Sequence, residues 1–358
     1  MSLLSLKPDP LMGIDISTTA IKLLELSKSG KGYKIESYGI ELLPEKVIED
    51  KKIIDPDAAE IIGEAISKMI KRAKPKSQFV AVAISGPEVI TKEVLMDKIP
   101  DAEIKEAIET DPATYLGQEV EDIELDFQVL GPNELEPERV DVLLAACRSE
   151  TLEMYTTVLE MAKLTPKVID IEKYALERAF AMIVETDSDI NEGEIIALIE
   201  IGATITTMNV LGDNQNIIYT HEEMFGGKQL IEQIQSNYGL TYEEAHLGTR
   251  DGGLPDSYET DVLELFRDEI AEQISLMVQS YYSQSTYGKL SHILISGGCA
   301  SIPDIIKHIE TKVGGHVSIA NPLASMSVAS RVSKKALSND GPSLMVACGL
   351  AMRTFDEY

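Results

Sequence analysis

The chain has 358 residues, more than one small hydrophobic core organises, so two domains are expected. Its 60 acidic residues against 32 basic ones give a formal charge of −28; such a surface repels nucleic-acid backbones, and no local basic patch offsets it. No stretch approaches the roughly 20 apolar residues of a membrane helix.

The opening "MSLLSLKPDP" lacks the basic and apolar regions of a signal peptide. Cys147, Cys299 and Cys348 are scattered in apolar runs beside Ala or Gly, as expected of reduced, buried thiols in a cytoplasmic protein. The five histidines form no metal-ligand spacing. If the acidic surface has a partner, that partner is basic.

In chain order, strand alternation runs from Leu11 to Leu26 and resumes at "YKIESYGIELL". Asp55 and Pro56 read as an N-cap and first-turn pair, and Ile61, Ile62, Ala65, Ile66, Met69 and Ile70 form a helical apolar stripe. "QFVAVAIS" reads as a buried strand. From about Pro87 to Pro166 the pattern becomes β-α-β-β-α-β: "EVITKEVLM", a helix broken near Pro112, "IELDFQVL", "RVDVLLAAC", a helix N-capped by Ser149, and "PKVIDI".

"EKYALERAFAMI" reads as a helix leading into a boundary loop, "ETDSDINEGE". "IIALIEIGATITTMNVLGDNQNIIYTHEEM" reads as a strand pair around a Gly-Asp-Asn turn. Val262, Leu265, Phe266, Ile270, Ile274, Met277 and Tyr281 lie at helical spacing. "HILISGGCASIPDIIKHIE" is strand, double glycine and helix, and "PSLMVACGLAMR" is an apolar last helix with small residues.

"GIDISTTAIKLLEL" aligns with "LIEIGATITTMNVL", Asp15 over Glu200, Ser17 over Gly202 and Thr19 over Thr204. An internal duplication of this kind predicts two similar domains facing each other across a cleft. Small residues let backbone N–H groups approach an anion, and hydroxyls add donors. An acid at each bend would repel that anion unless a divalent cation, such as water-shelled Mg²⁺, sits between them. Taken singly, each hairpin is better read as an ordinary half-buried one; together, and with two glycine motifs, they favour a phosphate clamp. In the first of those motifs, Gly297 and Gly298 allow close approach to a planar ligand, though a tight strand-to-helix turn would look the same. In the second, Gly226 and Gly227 precede a helix, and Lys228 in its first turn opposes the helix dipole, which suggests either a counter-anion or a solvated surface lysine.

Together these motifs resemble the actin-like ATPase superfamily. The two aligned hairpins are similar to its phosphate-1 and phosphate-2 motifs, "ILISGGCASIPD" to its adenosine motif, and "EKYALERAFA" and "SLMVACGLAMR" to its two connecting helices. Within the superfamily, "EVITKEVLM", "EMFGGKQL", "ISGGCASIP", "NPLASMSVAS" and the last helix resemble the PilM family of type IV pilus assembly. The resemblance implies an actin-like α/β fold: duplicated RNase H-like domains around a nucleotide cleft, with an inserted small β-α-β-β-α-β subdomain. On that reading residues 1–86 and 167–192 form the first domain, 87–166 the insert and 193–358 the second domain, the last helix (about 342–354) packing back at the junction.

The resemblance further implies ATP and Mg²⁺ as cofactors. Asp15 and Glu200 would orient the metal through waters. Ser17, Thr18, Thr19, Gly202, Ala203 and Thr204 would offer donors to the β- and γ-phosphates, and Lys22 would neutralise their charge. Gly226, Gly227, Lys228, Gly297 and Gly298 would flank the nucleoside. Ser17 stands where the family usually has glycine, and Glu200 where it usually has aspartate; both departures shift the metal position and point to at most slow ATPase activity.

The implied partner is the N-terminal cytoplasmic tail of PilN, held in a groove between the first domain and the insert. That places the protein in the cytoplasm, peripheral at the inner membrane through its partners; self-association is left open. A small-molecule kinase of the same superfamily is the rival reading. An FtsA-like division protein is a second, for which the short acidic "RTFDEY" does not supply a basic amphipathic membrane helix.

Overall fold

The computed structural model describes residues 10–355 except 31, 50, 87–88, 119–120, 187–189, 192 and 213–215. The readings of the N-terminal stretch, the "DSDI" part of the boundary loop, the Asp-Asn of the hairpin turn and the final "DEY" lie wholly or partly outside the described residues.

Three strands come first: β1 (Leu11–Ser17), β2 (Ala20–Ser29) and β3 (Gly32–Leu42). A short hairpin, β4 (Ile48–Glu49) and β5 (Lys52–Ile53), precedes α1 (Pro56–Ala73) and β6 (Phe79–Ile84). Asp55 caps α1 as expected, its carboxylate accepting from the Ala58 N–H at 2.8 Å. The apolar stripe of α1 is buried except for Ile61, which is exposed, and Ile70, which is half-buried.

Next come β7 (Ile90–Asp97), α2 (Asp101–Thr110), α3 (Pro112–Leu116), β8 (Ile123–Pro132), β9 (Arg139–Arg148) and α4 (Ser149–Met161). The helix breaks at Pro112 as read. Ser149 is the first helical residue rather than the cap, which is Arg148; the Asp122 carbonyl accepts its N–H, a donor the first helical turn leaves open. Strands β7, β9 and β8 make a three-stranded sheet under α2 and α3. The final strand of the β-α-β-β-α-β run, β10 (Thr165–Ile171), pairs in parallel with β6 instead.

Helix α5 (Glu172–Thr186) leads to β11 (Ile196–Ile201), β12 (Thr206–Leu211) and β13 (Ile217–Glu223), a third strand where a pair was expected. Then follow α6 (Gly227–Tyr238), α7 (Tyr242–Asp251), a π-helical turn at Glu259–Leu263 and α8 (Glu264–Gln284). The stripe along α8 is buried apart from Leu265, which faces solvent. The remaining elements are β14 (His292–Ser296), α9 (Ile305–Val313), β15 (Val317–Ile319), β16 (Ser327–Val328), α10 (Lys334–Asp340) and α11 (Met345–Met352).

Two larger sheets repeat one plan. One runs β10-β6-β1-β2-β3-β16 and the other β15-β14-β11-β12-β13. In each, a hairpin is flanked by a third antiparallel strand on one side and two parallel strands on the other. Parallel strands need crossover connections, and the helices supplying them cover both outer faces.

Between the two sheets lies a shared core filled by α5 and α11. Their close approach depends on glycine: a Cβ at Gly13 would overlap the Ala347 carbonyl, and one at Gly349 the Ala175 carbonyl. The chain returns to the first sheet before the last helix, since β16 pairs with β3. All three cysteines are buried, and none of them forms a disulfide among the described residues. Among the described residues, no helix is long and apolar enough to cross a membrane.

Candidate functional site in the cleft

Strand periodicity decides which way the two acids face. Side chains alternate across a strand, so Asp15 shares the face of Leu11 and Gly13, and Glu200 that of Ile196 and Leu198. Leu11, Ile196 and Leu198 belong to the core between the sheets, so both acids are carried toward the junction of the two halves.

The first bend is a two-residue loop. Ser17 pairs with Ala20 across it, and the Ser17 hydroxyl donates to the Ala20 carbonyl at 2.9 Å. Thr18 and Thr19 form the tip, with the Thr19 carbonyl accepting from the Leu43 N–H. Lys22 is the register partner of Asp15, and directly opposed side chains lie on one face. Its Nζ sits 2.9 Å from Asp15 Oδ2, with both side chains almost buried.

The second bend is closed by backbone. The Gly202 N–H donates to the Ile205 carbonyl at 3.0 Å, and Ala203 and Thr204 form the crown. The carbonyls of Gly202 and Ala203 accept from the N–H groups of Gly227 and Lys228 at 2.9 and 2.7 Å. Gly226 N–H donates to Gln229 Oε1 at 2.9 Å. The first amides of α6 are therefore occupied by the bend beside them, which answers in backbone the donors a helix N-terminus leaves open. The approach also explains Gly226, where a Cβ would stand 2.5 and 2.6 Å from the Gly202 and Ala203 oxygens.

Gly297 takes a φ of 89°, and a Cβ there would overlap the Ile201 carbonyl. Gly298 borders open space. A Cβ on Gly227 would lie 2.9 Å from the Cys299 sulfur, so the glycine motif before α6 and the one after β14 meet at the end of the second sheet. Lys228 does not join this group by its side chain. It is half-exposed and its counter-anion is Glu232, 3.7 Å away on its own helix.

Electrostatics link the two hairpins. Glu200 faces Thr207 on its own hairpin and Ser296 on β14, neither of them a cation. Burial pushes its carboxyl up to about 7, against attraction from Lys22 and Lys51, while Glu172 and Asp15 push the same way as burial. Burial likewise raises Asp15, and Lys22 only partly offsets it. On Lys22, burial favours the neutral amine, but Asp15 and Glu200 together overcome it and its affinity for the proton rises. One lysine of the first hairpin therefore serves an acid from each half.

Three residues of this cluster escaped the sequence reading. Lys51 lies 3.3 Å from Glu172 and 3.6 Å from Glu222. Glu172 opens α5, where an acid reads simply as a partner for the helix dipole. Lys51 sits in a polar turn that reads as solvated; its φ of 64°, unusual outside glycine, was the only local mark and is invisible in sequence. Glu222 alternates on β13 like any surface residue.

Four carboxylates against two ammonium groups leave a negative surplus of the kind a divalent cation neutralises. Among the described residues, no three His, Cys, Asp or Glu side chains converge closely enough to ligate a metal directly. Asp15 and Glu200 suit contact through coordinated water, as Mg²⁺ commonly accepts.

The family model described as type IV pilus assembly protein PilM matches residues 13–355. Among solved structures, a chain of the "PilM-PilN type IV pilus biogenesis complex" superposes with a TM-score of 0.74 at 22% identity, covering 97% of this chain and 99% of that one. The ethanolamine utilization protein EutJ from Carboxydothermus hydrogenoformans gives a TM-score of 0.55 at 16% identity, covering 97% and 90%. The repeated sheets and these likenesses establish the actin-like fold. With the family model matching nearly end to end, the chain belongs to the PilM family of type IV pilus assembly proteins.

Proposed function

We propose that this protein is a Mg-ATP-binding scaffold of the pilus assembly machinery, cytoplasmic and held at the inner membrane through its partners. The observation that carries the nucleotide reading is the sharing of Lys22 between Asp15 and Glu200, two acids at equivalent bends of a duplicated fold. Bound between those bends, a polyphosphate would take Lys22 as its cation, and Mg²⁺ would neutralise the carboxylate surplus through its water shell. On this reading the amides of the 17–19 and 202–204 bends and the hydroxyls of Thr18, Thr19 and Thr204 would surround that position. Gly297 and Gly298, beside Gly226 and Gly227, would flank the nucleoside.

The Ser17 proton is committed to Ala20 and the first amides of α6 to the 202–203 carbonyls, so these groups do not double as phosphate donors without rearrangement. That supports holding ATP over rapid hydrolysis, since in-line attack demands well-placed groups.

Family membership and full-length likeness to a chain of the PilM-PilN complex support the N-terminal tail of PilN as the partner. Such a tail would lie extended between the first domain and the 87–166 insert, held by backbone pairing and a few side-chain pockets. The acidic surface favours basic residues beside it.

The test is calorimetric titration of the N-terminal peptide of the cognate PilN into the purified protein, with and without Mg-ATP. Micromolar or tighter binding that shifts with nucleotide establishes a scaffold coupled to its ligand. No heat in either condition, alongside clear ATP binding, would turn the reading toward a small-molecule kinase.

A further inference from the structure

The cleft holds a second lysine placed like the first. Lys22 is shared by Asp15 of the first sheet and Glu200 of the second. Lys51 is shared by Glu172, which follows β10 of the first sheet, and Glu222 on β13 of the second. Both lysines come from the first half of the chain. Lys51 contacts an acid of each half, whereas Lys22 contacts Asp15 and acts on Glu200 across the junction through its charge.

The two differ in how firmly they are held. The Lys22–Asp15 contact is 2.9 Å between nearly buried groups. Lys51 keeps 28% of its side chain exposed, and Glu222, at 3.6 Å, keeps 49%. A long contact to a half-exposed carboxylate is a weak ion pair that a doubly charged oxyanion can displace. Lys51 nevertheless stands in the same field as the inner cluster, since its charge draws down the carboxyls of both Asp15 and Glu200. The short β4–β5 hairpin presents it from a left-handed backbone position, which fixes the direction of the stem.

We propose that Lys51 is a further phosphate-binding residue of the cleft, for which Glu222 and the terminal phosphate of a nucleoside triphosphate compete. The inference rests on the nucleotide reading above and adds a residue and a consequence to it. A triphosphate draws Lys51 off Glu222; a diphosphate, one phosphate shorter, leaves the pair in place. The tie between the halves then differs between the two nucleotides.

Affinities of Mg-ATP and Mg-ADP would be measured by titration calorimetry on the intact protein and on Lys51→Met and Glu222→Gln, with melting curves of each alone. Lys51→Met should weaken ATP by about tenfold or more, the scale of a charge-assisted contact, and ADP by no more than about threefold. Glu222→Gln should tighten ATP severalfold, because it frees the lysine, while lowering the melting temperature of the nucleotide-free protein. These opposite signs separate the proposal from a purely structural role, under which both variants lose stability and affinity together. An unchanged ATP-to-ADP ratio in Lys51→Met, or weaker ATP binding in Glu222→Gln, overturns it. Should Lys51→Met not fold, Glu222→Gln decides alone. Absence of nucleotide binding by the unaltered protein would instead bring down the nucleotide reading, and this inference with it.

Discussion

The two hairpins share a backbone and differ in how they handle charge. In the first, Asp15 faces Lys22 across the ladder, and the bend is tied by the Ser17 side chain. In the second, the equivalent acid faces Thr207, and the bend is tied by Gly202 N–H and by carbonyls that cap α6. The first hairpin carries its own counter-charge; the second borrows it from across the junction. A duplicated fold can thus keep strand order and register while assigning the chemistry of both copies to one lysine. Burial cost explains why this matters: an acid without a cation of its own holds its proton longer, as Glu200 does.

The largest effect comes from breaking the packing that brings the hairpins together. Gly13 lies against α11, whereas the second hairpin carries the full side chain of Leu198 at the matching position. Gly13→Ala should destabilise by about 3 kcal/mol, because its Cβ meets backbone that cannot yield cheaply. Chemical denaturation reads this directly, and a loss below about 1 kcal/mol would show that α11 can slide aside.

A smaller effect tests the charge asymmetry. The Glu200 carboxyl is raised from 4.5 to about 7, so the native state binds more protons than the unfolded chain between those pH values. Its contribution therefore makes stability fall as pH rises from 4.5 through 7, and level off above. Glu200→Gln should abolish that slope and stabilise the protein at pH 8 by about 1–2 kcal/mol, allowing for partial solvent screening. Thr207→Lys, which gives the second hairpin the cation of the first, should remove most of the slope while keeping the acid. Melting temperatures across pH 4.5–8 compare all three proteins; parallel curves would refute the asymmetry.

The smallest effect concerns Lys228. Its ion pair with Glu232 is exposed and spans one helical turn, so Lys228→Ala should change stability by less than about 0.5 kcal/mol. Mg-ATP affinity should also stay within about twofold, since the backbone amide and not the side chain meets the 202–203 bend. A tenfold loss of affinity would return this side chain to the site.

Local patterns carried much of the architecture. Strand alternation, the Asp55–Pro56 start and the Pro112 break are set by neighbours a few residues apart, and the structure keeps each of them. The duplication was legible because both hairpins preserve an acid and a small-residue bend at one spacing. Distant pairing was not legible in the same way. Whether "PKVIDI" joins the small sheet or β6, or "SV" at 327–328 joins β3, depends on edges that only the assembled sheets expose. Ile61 and Leu265 fit their helical stripes, but burial is decided by what covers the helix, and among the described residues both stay exposed.

The sequence by itself determined the two hairpins, their acids, Lys22 and the glycines, because chain-local chemistry and a repeat along one axis encode them. Tertiary structure alone decided that one lysine answers two acids, that Gly227 and Lys228 spend their amides on the 202–203 carbonyls, and that Lys51 reaches Glu172 and Glu222. Charges act through space, and these partners lie up to some 180 residues apart along the chain, so no spacing in the sequence records their meeting.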